Sequence, residues 1–139
     1  MYTIFHGHLA LNTPEISQLT LDAFIDAALT KPIGLADIAN FLGMSERETI
    51  SVFRSRFSRT PVNYIFERRL TRARWLIQNT SMSLVAISLE CGYNSQSYMS
   101  TCMKKYFGMS PRGLRMAARN DAQDYSRADH QSTPKKALH

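Results

Sequence analysis

Two groups of side chains recur at spacings of three and four residues, and all of them except Ile50 can form hydrogen bonds or carry charge. On a helix, such spacing places each group on one face. The groups are Arg47, Ile50, Ser51 and Arg54, and then Gln96, Ser97, Ser100, Thr101, Lys104 and Lys105. No clustered carboxylates, nucleophile with a base, or phosphate-cradling glycine loop accompanies them, so we expect no enzyme.

The charge distribution favours an anionic partner. The 139-residue chain has a formal net charge of +6, yet residues 1–30 contain no Lys or Arg. Residues 54–74 contain seven arginines and a single acid, Glu67, and residues 104–119 contain five basic residues and no acid. Nucleic acid is favoured over an anionic membrane surface, and solvated helix faces are the purely structural alternative.

The remaining reactive residues predict neither a cofactor nor a metal site. Cys91 and Cys102 form no C-x-x-C pair and lie in apolar-periodic segments, which indicates core residues in a reducing cytoplasm. The four histidines lie near the two ends of the chain. The chain has no apolar run of about 18 residues and no signal-peptide pattern at its start, so we expect a cytoplasmic protein without membrane contact or small-molecule ligand.

Apolar residues at spacings of three and four predict an all-α chain of about seven helices. Ser45 with Glu48 forms a capping box, and Thr60-Pro61 begins the longest helix. That helix is expected to run to Asn79, to span roughly 28 Å, and to bury a stripe that includes Val62. The seven predicted helices begin and end as follows: from about 14 or 17 to 29, 35–42, from 45 to about 57, 61–79, 84–91, from 95 to about 107, and from 110 onward.

The strongest signal is an internal repeat. Residues 35–43 match residues 84–92 at an offset of 49, and residues 45–61 match residues 95–111 at an offset of 50. Each copy predicts a short helix, a glycine turn, a serine cap and a second helix. In the first copy, the second helix buries Thr49, Phe53 and Phe57. This arrangement is typical of a helix-turn-helix, whose second helix enters the major groove of DNA, although a helical bundle that uses one turn twice is the alternative.

These residues resemble the DNA-binding domain of the AraC/XylS family of bacterial transcription regulators. The resemblance covers roughly residues 19–118. It is carried by Leu35-Ala36-Asp37-Ile38-Ala39, Leu42-Gly43-Met44-Ser45, Pro61-x-x-Tyr64-Ile65-x-x-x-Arg69-Leu70-x-x-Ala73-x-x-Leu76, Ile87-x-x-x-Cys91-Gly92-Tyr93-x-Ser95-Gln96-Ser97-Tyr98 and Lys104-Lys105-Tyr106-Phe107-Gly108-Met109-Ser110-Pro111.

The domain organisation follows from the repeat and the resemblance together. We expect an N-terminal extension over residues 1–16, a DNA-binding domain over 17–119 and a disordered tail over 120–139. Inside the domain, the units at about 35–58 and 84–108 flank the linker helix at about 61–79. The short extension predicts a stand-alone monomer of the MarA and SoxS type, and a fragment of a longer regulator is the alternative.

The resemblance assigns roles to the two polar faces. Arg47 suits guanine, Ile50 a thymine methyl, Arg54 phosphate and Gln96 adenine. Relatives often carry Arg at the positions of Ser51 and Thr101 and a large apolar residue at that of Thr49. The chain is therefore expected to depend more on phosphate contacts and DNA shape, with the second unit as the better base reader and the first more of an anchor.

The predicted function is a sequence-specific regulator, and an activator is favoured. Its partners would be promoter double-stranded DNA, with RNA polymerase as a candidate. The alternative is an interaction module that titrates another regulator or polymerase. Arg69 is expected to pair inside the protein with Asp37 or Glu90. Trp75 is expected to pack against the second unit, or else to contact a partner.

Overall fold

The computed structural model describes the backbone of residues 14–137 and the side chains of residues 18–129. Over that range the chain is all-α, as predicted, and contains no strand. The helices are α1 Pro14–Ala27, α2 Leu35–Leu42, α3 Glu46–Phe57, α4 Pro61–Asn79, α5 Leu84–Glu90, α6 Gln96–Phe107 and α7 Pro111–Ala137.

The second helix of each helix-turn-helix unit, conventionally called the recognition helix, is α3 in the first unit and α6 in the second. The two begin in the same way. The Ser45 hydroxyl accepts a hydrogen bond from the Glu48 backbone N–H, and the Ser95 hydroxyl accepts one from the Tyr98 N–H, each at 3.1 Å. The Ser45 N–H donates in return to Glu48 Oε1 at 3.4 Å, so the predicted capping box is present. Each serine satisfies a donor that the first helical turn leaves without a partner.

Two hydrophobic cores share the long helix α4. Tyr64 and Ile65, from its first half, pack with residues of α1, α2 and α3. Leu70 opens the second half, which packs with residues of α5, α6 and α7. Each helix-turn-helix unit therefore buries its apolar side against its own half of one continuous rod.

The first turn of α4 departs from the predicted stripe. Val62 is 61% exposed, whereas Tyr64, which was not in the stripe, is buried. The Tyr64 ring lies 5.4 Å from the Phe53 ring and 5.0 Å from the Phe57 ring, measured between centroids. The Tyr64 ring, and not the Val62 side chain, therefore packs beside α3.

Over the residues that the structure describes, α7 continues to Ala137, where the sequence analysis expected a disordered tail from residue 120. All side chains from Asn120 to Asp129 are exposed, which explains why the sequence lacked apolar periodicity there. A helix that is already formed gains one backbone hydrogen bond with each added residue, so it can extend without burying a face. Among the described residues, no helix is both long and apolar enough to cross a membrane.

Candidate nucleic-acid interface

Helix α3 separates a buried ridge from a polar face. Thr49 and Phe53 are fully buried, and Phe57 is half-buried against the same core. On the remaining surface, Arg47, Ser51 and Arg54 are exposed and Ile50 is half-buried. The predicted contact residues of the first unit therefore lie on one helix and point away from its core.

Helix α6 repeats this division. Met99, Cys102 and Met103 are buried in the second core. Of the predicted contact residues, Gln96 and Ser100 are half-buried, whereas Ser97, Thr101, Lys104 and Lys105 are exposed. Five of these six side chains line one open depression along the helix, namely Gln96, Ser97, Ser100, Thr101 and Lys104.

Two threonine hydroxyls on these helices bond to their own backbone. Thr101 Oγ1 donates to the Ser97 carbonyl at 3.0 Å, and Thr49 Oγ1 donates to the Ser45 carbonyl at 2.8 Å. The Thr49 bond explains how a hydroxyl is tolerated where it is fully buried, because a buried polar group needs a partner. The Thr101 bond holds that side chain close to the helix, so its reach is shorter than that of an arginine.

Comparison with known proteins identifies the family. A family model described as a helix-turn-helix domain matches residues 38–117. A crystal structure from Chromobacterium violaceum, titled as a transcriptional regulator with an AraC-type DNA-binding domain, is 34% identical, with a TM-score of 0.66 over 70% of this chain and 88% of that chain. The chain belongs to the AraC-type family of helix-turn-helix transcriptional regulators.

Two curated relatives, both named as HTH-type regulators, show how much of the chain is similar. The regulator GbdR of Pseudomonas aeruginosa is 34% identical over 107 residues, which is 77% of this chain and 29% of GbdR. The activator RhaS of Mannheimia succiniciproducens is 31% identical over 86 residues, which is 62% of this chain and 32% of RhaS. The chain thus spans about a third of these relatives.

One solved relative contains DNA. The DNA-binding domain of AdpA in complex with a target DNA is 22% identical, with a TM-score of 0.65 over 74% of this chain and 93% of that chain. This likeness concerns the fold.

Several arginines of the AraC-type domain are held by the fold itself. Arg59 Nε lies 2.6 Å from Glu67 Oε2. Arg68 donates two hydrogen bonds to the Asp26 carboxylate, at 3.0 and 2.6 Å, and this pairing raises the pKa of Arg68. Part of the basic cluster is therefore engaged within the protein, and the Arg68–Asp26 pair, whose members are 42 residues apart, could not be seen in local composition.

The predicted acid partner of Arg69 is wrong. Arg69 donates instead to backbone carbonyls: Nη1 to Leu29 and, at 2.8 Å, to Cys91, and Nη2 to Lys31 at 3.2 Å. Desolvation of the half-buried guanidinium lowers the pKa of Arg69. Asp37 is engaged elsewhere, because its Oδ2 accepts from the Gly34 N–H at 2.8 Å at the start of α2.

Trp75, which was expected to pack against the second unit, is not among the residues of the second core. Trp75 is 52% exposed, and the guanidinium of Arg72 lies 5.7 Å from its ring centroid. By contrast, the Arg74 guanidinium lies 4.5 Å from the ring of Phe107, which does border the second core. Trp75 lies between the buried stripe and the polar face of α4, and at such a position the helical pattern alone does not determine which way a large side chain points.

Two exposed tyrosines of α6 were not among the contact residues predicted from the sequence. Tyr98 is 51% exposed and Tyr106 is 53% exposed. The Tyr106 ring lies 5.2 Å from that of Phe66 on α4, so the end of this recognition helix touches the linker helix. Each tyrosine is next in sequence to a residue that faces the second core, Met99 for Tyr98 and Phe107 for Tyr106. This place in the helical pattern could have predicted that both tyrosines lie at the border between the buried face and the polar face of α6.

Proposed function

We propose that this chain is a sequence-specific DNA-binding regulator that inserts α3 and α6 into successive major grooves of promoter DNA. The observation that carries the proposal is the open depression on α6, where side chains able to recognise bases and a lysine lie together on one exposed face. A major groove of about 12 Å width admits one α-helix and presents a distinct hydrogen-bonding pattern for each base pair.

The order of residues along α6 suits this mode. Gln96 and Ser97 stand in the first turn of the helix, and Lys104 and Lys105 stand in the last. The first turn of a recognition helix typically meets the base edges, and Gln96 could bond to N6 and N7 of adenine. The two lysines would then meet phosphate, which adds affinity without selecting a sequence.

Helix α3 would act in parallel with a different balance of contacts. Arg47 stands in its first turn, where a guanidinium could bond to both O6 and N7 of guanine. Ile50 offers an apolar contact to a thymine methyl, and Arg54, in the last turn, offers a phosphate contact. With a single long donor near its start, this unit would contribute more to anchoring than to base selection.

Helix α4 supports the use of both units on one duplex. Its 19 residues correspond to roughly 28 Å, and each unit packs on one half of it. Successive major grooves on one side of DNA are separated by about 34 Å, so modest DNA bending would allow both helices to enter.

The test is selection of bound duplexes from a random library, followed by salt titration on selected and random DNA. We expect a two-part motif, sharper under α6. Arg54→Ala and Lys104→Ala should each reduce the salt slope by about one and weaken all sequences alike. Arg127→Ala, an exposed arginine far along α7, is the matched control and should change neither. Equal affinity for all duplexes at physiological salt would contradict the proposal and favour an interaction module.

We further propose that the protein acts as a monomer and activates transcription by contacting RNA polymerase. The support is family membership together with a relative named as an activator, RhaS. In a purified transcription assay with the selected site upstream of a promoter, transcript should increase when the protein is added. Sedimentation of the DNA complex should give one chain per two-part site, and two chains per site or reduced transcript would contradict this extension.

A further inference from the structure

We infer that Arg69 fixes the relative orientation of the two helix-turn-helix units and thereby sets the half-site spacing that the protein accepts. This inference rests on the proposed function. Arg69 is a positioning residue here, since its side chain is engaged inside the protein and would act on DNA only through the placement of α3 and α6.

Arg69 lies where α4 passes from one core to the other. Ile65 is the last buried residue of α4 in the first core, and Leu70 is the first in the second core. At this boundary a side chain can reach both units at once. Arg69 is only half-buried, but its guanidinium is directed into the seam between the units rather than into solvent.

The acceptors come from both sides of that boundary. Leu29 belongs to the first core and Cys91 to the second, and Arg69 Nη1 donates to the carbonyl of each. Nη2 donates to Lys31, in the segment between α1 and α2. A planar guanidinium with several fixed donors can hold carbonyls in a set geometry, which a lysine ammonium cannot do.

Gly92 makes this close approach possible. It lies in the turn of the second unit, has a φ of +78°, and directly follows Cys91. A Cβ atom at this position would overlap the Arg69 guanidinium and the Leu29 carbonyl. The turn of the second unit therefore meets the segment after α1 at a point where only glycine leaves room for the bridge.

Among the described residues, α4 is the one helix that contributes buried side chains to both cores, and no helix of the first unit packs extensively against a helix of the second. Without Arg69, each unit would keep its own core on α4, but the bridge between Leu29 and Cys91 would be lost. Small rotations of one unit about α4 would then change the distance between α3 and α6.

The first test measures that distance in the free protein. Nitroxide labels at S55C on α3 and S97C on α6 use exposed positions, whereas the native Cys91 and Cys102 are buried. Pulsed electron spin resonance should give a narrow distance distribution for the parent. The distribution should broaden or shift in Arg69→Met and, to a lesser degree, in Arg69→Lys.

The matched control is Arg115→Met. Arg115 Nε donates to the Ile77 carbonyl at 3.0 Å, so the variant also removes a guanidinium–carbonyl bond, but one within the second unit. It should lower thermal stability and leave the distance distribution unchanged. An equal broadening in this control would overturn the inference, because the effect would then be a general loss of stability.

The second test uses the two-part DNA site with one or two base pairs inserted or deleted between its halves. The parent should bind one spacing best, and in Arg69→Met affinity at that spacing should fall by about tenfold as the coupling of the two halves weakens. Affinity for a single half-site should stay within about twofold. Under the same conditions, Arg115→Met should keep the spacing preference of the parent.

The outcomes separate the inference from the proposed function. If the parent selects no two-part site, the proposed function fails. The distances between the nitroxide labels on α3 and α6 still test the role of Arg69 in that case. If both Arg69 variants keep the distance distribution and spacing preference of the parent, the inference is wrong. If Arg69→Met and the milder Arg69→Lys both fail to fold, the residue serves stability and the positioning role is overturned.

Discussion

The two helix-turn-helix units reach the same backbone arrangement with different side chains. Both recognition helices begin at a serine cap and end at a residue in the left-handed conformation. The buried ridge of α3 is Thr49, Phe53 and Phe57, whereas α6 uses Met99, Met103 and Phe107 at the matching places. The comparison shows that the backbone arrangement depends on caps, turns and an apolar ridge, whereas different apolar side chains can form that ridge.

The two ridges should differ in stiffness, because they are built from different side chains. In the first unit, Phe53 packs edge-on against Phe57 and Tyr64, with centroid distances of 5.1 and 5.4 Å. In the second unit, two flexible methionines occupy the centre. Aromatic clusters have specific geometry, whereas methionine adapts to its neighbours. The first core should therefore respond more strongly to loss of its central side chain.

Truncation of the two central residues should have the largest effect. Phe53→Ala should lower the free energy of unfolding by about 4 kcal/mol and Met103→Ala by about 3 kcal/mol, since both side chains are fully buried. Chemical denaturation measures this, and hydrogen exchange should place each loss in its own unit. Tyr125→Ala, at a 76% exposed position, is the control and should stay within about 0.5 kcal/mol. Equal losses in both units would contradict the proposed difference in stiffness.

Base recognition should differ between the units by a smaller amount. Gln96→Ala should cost about 1–3 kcal/mol on the selected site and little on random DNA, because a bidentate base contact is lost. Ile50→Ala should cost less, about 1 kcal/mol, because it loses an apolar contact to a methyl group. Binding titrations on selected and random duplexes test this, with Arg127→Ala as the unchanged control. A larger loss in Ile50→Ala would make α3 the better reader.

The helices, their caps and the two contact faces could be predicted from the sequence because they depend on local spacing. Residues three and four apart share a helix face whatever lies elsewhere. The offset between the copies then placed Gln96 and Arg47 in equivalent first turns. These features need no knowledge of which distant segments meet.

Three features could not be predicted, each for a physical reason. The carbonyl partners of Arg69 are invisible in sequence, because every residue carries such an acceptor. The burial of Tyr64 depends on the gap beside Phe53, which only the packed structure defines. The continuation of α7 past Asn120 buries no side chain, so no apolar pattern marks it.

A tyrosine in each core allows a further comparison under alkaline conditions. Tyr64 donates to Asp22 Oδ1 at 2.5 Å, and burial, followed by this bond and the Asp22 charge, raises the pKa of Tyr64 from 10.0 to about 12. Burial also raises the pKa of Tyr93, but its hydroxyl has no side-chain partner among the described residues. Only the first phenol bonds to a carboxylate.

The folded state therefore favours the protonated form of Tyr64. Its contribution to stability should be complete below about pH 10 and should be lost as the pH rises toward 12. At neutral pH, Tyr64→Phe should cost about 1.5 kcal/mol, since the bond is to a charged group, and Tyr93→Phe should cost less. Unfolding titrations between pH 7 and 11.5 test both variants. An unchanged alkaline loss of stability in Tyr64→Phe would contradict this role.

The smallest expected difference lies at the ends of the recognition helices. Ser58 ends α3 with a φ of 56°, and Gly108 ends α6 with a φ of 72°. A side chain in this left-handed conformation costs about 1–2 kcal/mol, while glycine costs about 0.4–1 kcal/mol more entropy on folding. Ser58→Gly should therefore stabilise the protein by about 0.5 kcal/mol, and Gly108→Ser should destabilise it by a similar amount.

A Cβ at Gly108 meets nothing within 4 Å, so steric overlap adds no cost there. Thermal unfolding of both variants, with the double exchange expected to lie near the parent, measures the balance. If Ser58→Gly destabilises the protein, the chain entropy of glycine outweighs the relief of strain and the two helix ends are not interchangeable.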